Sequence, residues 1–254
     1  MSSSSSIAAG VTPEQVSHDK LARLAGALYL STLPTGGLGI VSAQSLLENG
    51  GSGAAAQIAA SLSFLKLGVL AGAVCAVTWL VLGVLFYALF RSVNERACQL
   101  MLAMVVVSNT LLLAALARRM DALWLVADVQ RLALDPDQLR ALAALAVRSS
   151  DNLMQVSTLF WGLWLLPLGF LVFRSGFVPK TLAVLLLLGV VFYVGIYVGG
   201  VVDPEYPKTL VSKVIGFGFG IPEVVGELGT ALWLLIRGTK GWRKAAAASL
   251  PLVT

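Results

Sequence analysis

The chain has 254 residues, of which 57% are hydrophobic and only 12% are charged. A typical soluble domain carries about 25% charged residues, so this composition excludes a soluble globular fold, which would lack polar side chains to cover its surface. The net charge of +5 does not indicate a nucleic-acid partner. The basic residues instead lie in short clusters at the ends of apolar stretches, where they anchor and orient membrane helices.

Six long apolar stretches predict six transmembrane helices, because about 20 apolar residues are needed to cross the hydrocarbon core of a bilayer. Pro34 and the glycines beside it predict a kink in the first of them. The fold class is therefore an all-α polytopic membrane bundle over 20–238, between a disordered tail at 1–19 and a basic tail at 239–254. The predicted spans cover 21–43, 67–90, 97–117, 152–173, 178–202 and 214–236.

The polar segment 118–151 separates the third span from the fourth. Its charged and apolar residues alternate at helical spacing, which predicts an amphipathic helical segment against the bundle or the headgroup layer. An interruption is expected at Asp135 and Pro136. Lys and Arg cluster at the two ends of the chain and in the short loops between spans two and three and between spans four and five. Because cytoplasmic loops carry an excess of these residues, this bias predicts cytoplasmic N- and C-termini.

Two glutamates, Glu223 and Glu227, lie inside the sixth apolar stretch and are the strongest functional signal. An acidic side chain at the centre of a bilayer costs roughly 2.5 to 3.5 kcal/mol on insertion scales, so such residues face the interior of a bundle. Pro222 predicts a break in the helix, after which Glu223 occupies the first turn of a restarted helix, where the helix dipole favours negative charge. Glu227 follows one turn later on the same face.

Two interpretations of these glutamates are open. In the first, Glu227 forms a hydrogen bond to another helix and Glu223 stays hydrated near the interface, so that both are structural. In the second, Glu227 and Glu223 are catalytic residues, and at least one of them faces a cavity and donates or relays a proton.

Aromatic residues of spans four to six are the second candidate feature. Packing and the interfacial aromatic belt explain most of them. If several line one cavity beside a carboxyl group, that cavity suits an isoprenoid-like ligand, since the acid can protonate an alkene or epoxide and ring faces stabilise cations. Asn109, in span three, is a further polar candidate, although hydrogen bonding between helices explains it more simply. The candidate ligand-binding aromatics are Trp161, Trp164, Tyr193, Tyr197, Phe217, Phe219 and Trp233.

The sequence predicts no metal site and no cofactor. It contains a single histidine, His18, and its two cysteines, Cys75 and Cys98, fall within or beside apolar spans. It has no P-loop, no dinucleotide-binding glycine pattern after a strand and no nucleophile elbow. The absence of a long internal repeat disfavours a duplicated transporter without excluding one.

Three local patterns resemble a known family: RLAGALYL at the start of span one, GFLVFRSGFVP between spans four and five, and GEL with ALWLL and Gly238 in span six. Through them the chain from Lys20 to Gly238 resembles a bacterial family of six-helix integral membrane proteins of unknown function. The resemblance implies a bacterial inner membrane and matches Glu227 to an acidic position common in the family. Acids in span two and a histidine at the position of Trp164, both frequent in the family, are missing here, which favours an apolar ligand.

The leading hypothesis is therefore a multi-pass protein of the lipid bilayer that binds a hydrophobic small molecule or lipid inside the bundle around Glu227. The first alternative is a membrane-bound, acid-initiated isoprenoid (terpene) cyclase or isomerase that works without a metal. The second alternative is proton-coupled transport through the same two glutamates.

Overall fold

The computed structural model describes residues 13–49, 55–127, 135–203 and 205–239. Within these ranges the chain is almost entirely helical and contains no strand. The first helix begins at Pro13 and so includes the last part of the segment for which the sequence predicts disorder. The rest of that tail, 1–12, and the predicted basic tail over 240–254 lie outside the described residues.

The described helices form six segments that are long and apolar enough to cross a membrane. This confirms the predicted all-α polytopic bundle. The bounds are α1 Pro13–Asn49, α2 Ala55–Phe90, α3 Glu95–Ala127, α4 Pro136–Leu163, α5 Leu165–Ser175, α6 Lys180–Val202, α7 Leu210–Ile215, the π-helical turn Gly216–Gly220, and α8 Ile221–Arg237. Helices α4 and α5 together make the fourth span, and α7, the π-helical turn and α8 together make the sixth.

The described parts of the polar segment 118–151, which are residues 118–127 and 136–151, are helical, as predicted, but they do not form a separate helix between two spans. They belong to the end of α3 and the start of α4, which continue beyond the apolar part of their spans. Pro136 occupies the first turn of α4, where its missing N–H group costs no hydrogen bond. A small buried cluster holds the two extensions together with α2, and its members are Leu65, Ala122, Ala143 and Val147.

The helix break predicted at Pro222 is absent, whereas the kink predicted at Pro34 stays a prediction. Helix α1 is continuous through Pro34. In the sixth span the chain passes from α7 into α8 through the π-helical turn Gly216–Gly220, which ends two residues before Pro222. A π-helical turn accommodates one extra residue per turn, so the helix continues where the sequence suggested a stop. Glu223 still lies in the first turn of α8, as predicted.

Glycines hold α8 against its two neighbours, α1 and α6. A Cβ atom added to Gly26 of α1 would lie 2.5 Å from the backbone oxygen of Ala231 in α8. A Cβ atom added to Gly226 of α8 would lie 2.9 Å from the backbone nitrogen of Leu186 in α6. Close backbone approach at small residues is how helices pack tightly in membranes, and here it fixes the helix that carries both glutamates.

Candidate functional site

A cavity of about 280 Å³ lies inside the bundle. Its wall is built by α1, α2, α3, α4, α6 and α8, and by Trp164 at the junction of α4 and α5. Much of that wall consists of glycines and aliphatic side chains of α1 to α3. Glu227 and Arg119 are the two charged residues on the wall.

The volume of the cavity limits what it can hold. An engineered apolar cavity of about 150 Å³ stays dry and binds benzene, and pockets for drug-sized ligands begin near 300 Å³. The cavity of about 280 Å³ falls between these sizes. It therefore has room for one hydrocarbon chain or a compact ring system.

The two glutamates occupy different positions around one face of α8. Glu223 is buried, with 3% of its surface exposed, and the hydroxyl group of Tyr193 donates a hydrogen bond to its Oε1 atom over 3.0 Å. Gly189 of α6 leaves the space that this side chain fills, since an added Cβ atom would lie 2.6 Å from Cγ of Glu223. Glu227 lies on the cavity wall, and its carboxyl group is close enough to that of Glu223 for the two to interact.

Neither carboxyl group has a cationic partner. In the described part of the chain no Lys, Arg or His nitrogen lies within 4.0 Å of Glu223 or Glu227. The neighbouring hydrogen-bond donors are tyrosines instead. Tyr29 of α1 interacts with Glu227, although its buried hydroxyl group has no hydrogen-bond partner within 3.5 Å among the described residues. A tyrosine hydroxyl group thus lies beside the carboxyl group of the cavity.

Aromatic rings surround this end of the cavity. The rings of Trp79 and Trp164 meet edge to face, with centroids 5.0 Å apart, and Trp161 meets Tyr193 in the same way at 6.2 Å. All four residues line the cavity together with Glu227. The structure therefore brings together three of the aromatic residues selected from the sequence and adds Trp79, which the sequence did not identify as a candidate.

The remaining aromatic candidates lie away from the cavity wall. Tyr197 and Phe219 are half-buried, and Phe217 points outward with 72% of its surface exposed. The indole N–H group of Trp233 donates a hydrogen bond of 2.8 Å to the backbone oxygen of Phe177, which ties α8 to the turn before α6. These four residues do not join the other candidates around Glu227.

Asn109 also lies outside the cavity wall. It is buried, and neither its amide nitrogen nor its amide oxygen has a hydrogen-bond partner among the residues that the structure describes. Asn109 therefore does not form, with any described residue, the hydrogen bond between helices that the sequence suggested.

Arg119 is a second functional candidate that the sequence did not identify. It lies near the end of α3 with 2% of its surface exposed, and it donates hydrogen bonds to the backbone oxygen of Gly39 and, over 2.9 Å, to Oγ of Ser150. In the sequence it is one of two adjacent arginines that follow an apolar run. Only the packing of α3 shows that Arg118 faces outward and Arg119 faces the cavity.

The fold and the cavity together define a class: a multi-pass integral membrane helix bundle with an acid-containing internal cavity. Within that class, the chain belongs to the family described as "Domain of unknown function (DUF4386)", whose model matches residues 24–238. This match confirms the resemblance to a membrane family of unknown function. No curated protein and no solved structure gives a significant match to the chain.

The two cysteines provide a test of whether small molecules enter the cavity. Cys75 lies on the cavity wall, whereas Cys98 is fully buried in the core cluster. Because thiol modification follows access, N-ethylmaleimide should label Cys75 in the Cys98→Ala variant severalfold faster than it labels Cys98 in the Cys75→Ala variant. Mass spectrometry of the purified protein in detergent measures both rates. Equal rates would show that the cavity is closed to molecules of this size.

Proposed function

We propose that this protein binds a hydrophobic small molecule or a single lipid chain inside the bundle, with Glu227 as its polar contact and Glu223 beside it. One observation carries the proposal: Glu227 lies on the wall of an internal cavity, between aromatic rings, without a cationic partner in the described residues.

A specific ligand must bind in the cavity more favourably than the ordinary lipid that surrounds the protein. Transfer of a ligand from the bilayer to an apolar cavity gains no hydrophobic free energy, because lipid tails are as apolar as the cavity wall. Two other terms favour a specific ligand. Filling an empty cavity restores dispersion contacts for the atoms that line it, and a ligand with a hydroxyl, carbonyl or epoxide group can satisfy the buried polar groups of Glu227 and Tyr29. A plain acyl chain gains only the dispersion contacts, because it has no polar group for Glu227 or Tyr29.

A matched pair of substitutions on α3 tests this binding. Leu112 lines the cavity with 8% of its surface exposed, whereas the adjacent Leu113 is 47% exposed. Leu112→Trp should fill part of the cavity and remove the ligand, and Leu113→Trp should leave it in place. Mass spectrometry of organic extracts of the purified proteins should reveal a small apolar molecule that is present in the wild type and in Leu113→Trp and is depleted in Leu112→Trp.

Thermal unfolding in detergent shows whether both tryptophan variants are folded. Identical extracts from the two variants, both folded, would argue against occupation of this cavity.

A second candidate function is acid-initiated isomerisation or cyclisation of an isoprenoid at the same site. The observation that favours it is the set of ring faces, from Trp79, Trp161 and Trp164, around the cavity that contains Glu227. Such rings stabilise cations, and a positioned general acid contributes about 10² to 10⁴-fold to a rate. Proton-coupled transport through the same glutamates stays a prediction from the sequence.

Substitution of Glu227 separates binding from catalysis. If the protein is a cyclase or isomerase, Glu227→Gln should reduce product formation from an epoxide of farnesol by at least about 100-fold, because the amide cannot donate the proton. The control is Glu205→Gln, which removes an exposed acid that pairs with Lys208. Gas chromatography of the products measures the rates. Turnover that is equal in the two variants would exclude Glu227 as the acid.

We also propose that the protein resides in a bacterial inner membrane with both termini in the cytoplasm. An even number of spans puts the two ends on the same side, and cations cluster at the ends of the spans on that side, among them Arg23, Arg91, Arg174, Lys180 and Arg237. Two of them, Arg174 and Lys180, lie over the rings of Phe170 and Phe173.

Reporter fusions test this orientation. Alkaline phosphatase is active only outside the cytoplasm, so an insertion between α1 and α2 should be active, and one between α2 and α3 should be inactive. The opposite pattern of enzyme activity in intact cells would reverse the proposed orientation.

A further inference from the structure

Two residues of opposite charge lie at opposite ends of the cavity. Arg119 donates a hydrogen bond to the backbone oxygen of Gly39, whereas Tyr29, earlier on the same helix α1, interacts with Glu227. Gly39 and Tyr29 are separated by about 15 Å along the helix axis, at a rise of about 1.5 Å per residue. The wall between these ends is mainly apolar and includes Cys75, Leu112 and Met154.

The guanidinium group of Arg119 is buried and forms no ion pair with any described residue. Its described hydrogen bonds go to the backbone oxygen of Gly39 and the hydroxyl group of Ser150. Asp151 interacts with it electrostatically, but no described carboxylate oxygen lies within the 4.0 Å of an ion pair. A guanidinium group has five N–H donors, so those that remain have no partner among the described residues.

A purely structural role explains only part of this arrangement. The two hydrogen bonds tie α3 to α1 and α4, and a neutral donor would form them without the desolvation cost of a buried charge. The position on the cavity wall adds a second observation. Because Arg119 faces the cavity and forms no ion pair with a described carboxylate, its guanidinium group can bind an anionic group that enters the cavity.

We propose that Arg119 binds the headgroup of an anionic amphiphile, a carboxylate or a phosphate monoester, whose apolar chain extends through the cavity toward the aromatic rings. This inference rests on the proposed function and names the class of its ligand. Guanidinium matches both headgroups because its planar donors can bind two oxygens at once. The other end of the cavity presents carboxyl groups and no described cation, so the two ends of the cavity select one orientation of the ligand.

The test uses three probes with one chain length: radiolabelled decanoate, decyl phosphate and decanol. The full chain is reconstituted in nanodiscs of phosphatidylcholine, which carries no net charge, and binding to empty nanodiscs is subtracted. The decanoate and the phosphate are ionised at neutral pH and decanol is not. Wild type should bind at least one anionic probe at least tenfold more tightly than decanol, and the preferred anion identifies the headgroup.

Substitutions of the two adjacent arginines complete the test. Arg119→Met should remove the preference for the anion while leaving the affinity for decanol unchanged, and Arg119→Lys should retain part of it. Arg118→Met is the control, because Arg118 is exposed and pairs with Asp121 on the same helix. It should bind all three probes as the wild type does.

The possible failures are distinguishable. Wild-type protein that binds decanol as tightly as both anions would overturn the headgroup site and leave the proposed function standing. Absence of binding for all three probes would reject the proposed function as well. If Arg119→Met does not fold, the affinities of the three probes for the wild type and for Arg119→Lys still test whether Arg119 binds the headgroup.

Discussion

The orientation of the last span depends on one constraint: a carboxyl group in the hydrocarbon region must face protein, because lipid tails cannot hydrogen-bond to it. Glu223 and Glu227 therefore fix which side of α8 turns inward. The glycine contacts at Gly26 and Gly226 then bring α1 and α6 close enough for Tyr29 and Tyr193 to approach the two acids. The cavity wall combines small glycines of α1 and α2 with bulky rings, among them Trp161 and Trp164.

The fold was predictable from the sequence because local amino-acid composition is enough to identify membrane helices. Runs of apolar residues indicate the spans, and acids within such a run indicate an interior face. The cavity was only partly predictable, since its members come from six helices. Trp79 and Arg119 carried no local signal of their role, because an aromatic residue in a span, or an arginine at its end, is usual in membrane proteins. The outward position of Phe217 follows from the rotation of its helix, which composition does not encode.

The kink expected at Pro34 and the helix break expected at Pro222 show a related limit. Proline removes one hydrogen bond from a helix, but neighbouring groups and local rewinding can compensate inside a membrane. In α1, hydroxyl groups of Ser31, Thr32 and Thr35 donate to backbone oxygens of the preceding turn. In the sixth span, rewinding upstream of Pro222 has the same effect. The rule that proline interrupts a helix located these irregular places in the sequence. It did not predict how the backbone accommodates them.

The rewound turn Gly216–Gly220 has a consequence for the angular position of everything that follows it. A π-helical turn takes up about one residue more than an α-helical turn, and one residue corresponds to about 100° of rotation. If the same five residues were wound as ordinary α-helix, α8 would turn by that angle relative to α7, and both carboxyl groups would swing away from Tyr29 and Tyr193. The turn Gly216–Gly220 therefore sets the rotation of the final helix about its axis. A change in its winding would move the two carboxyl groups out of the cavity end that they occupy, while every apolar span stayed intact.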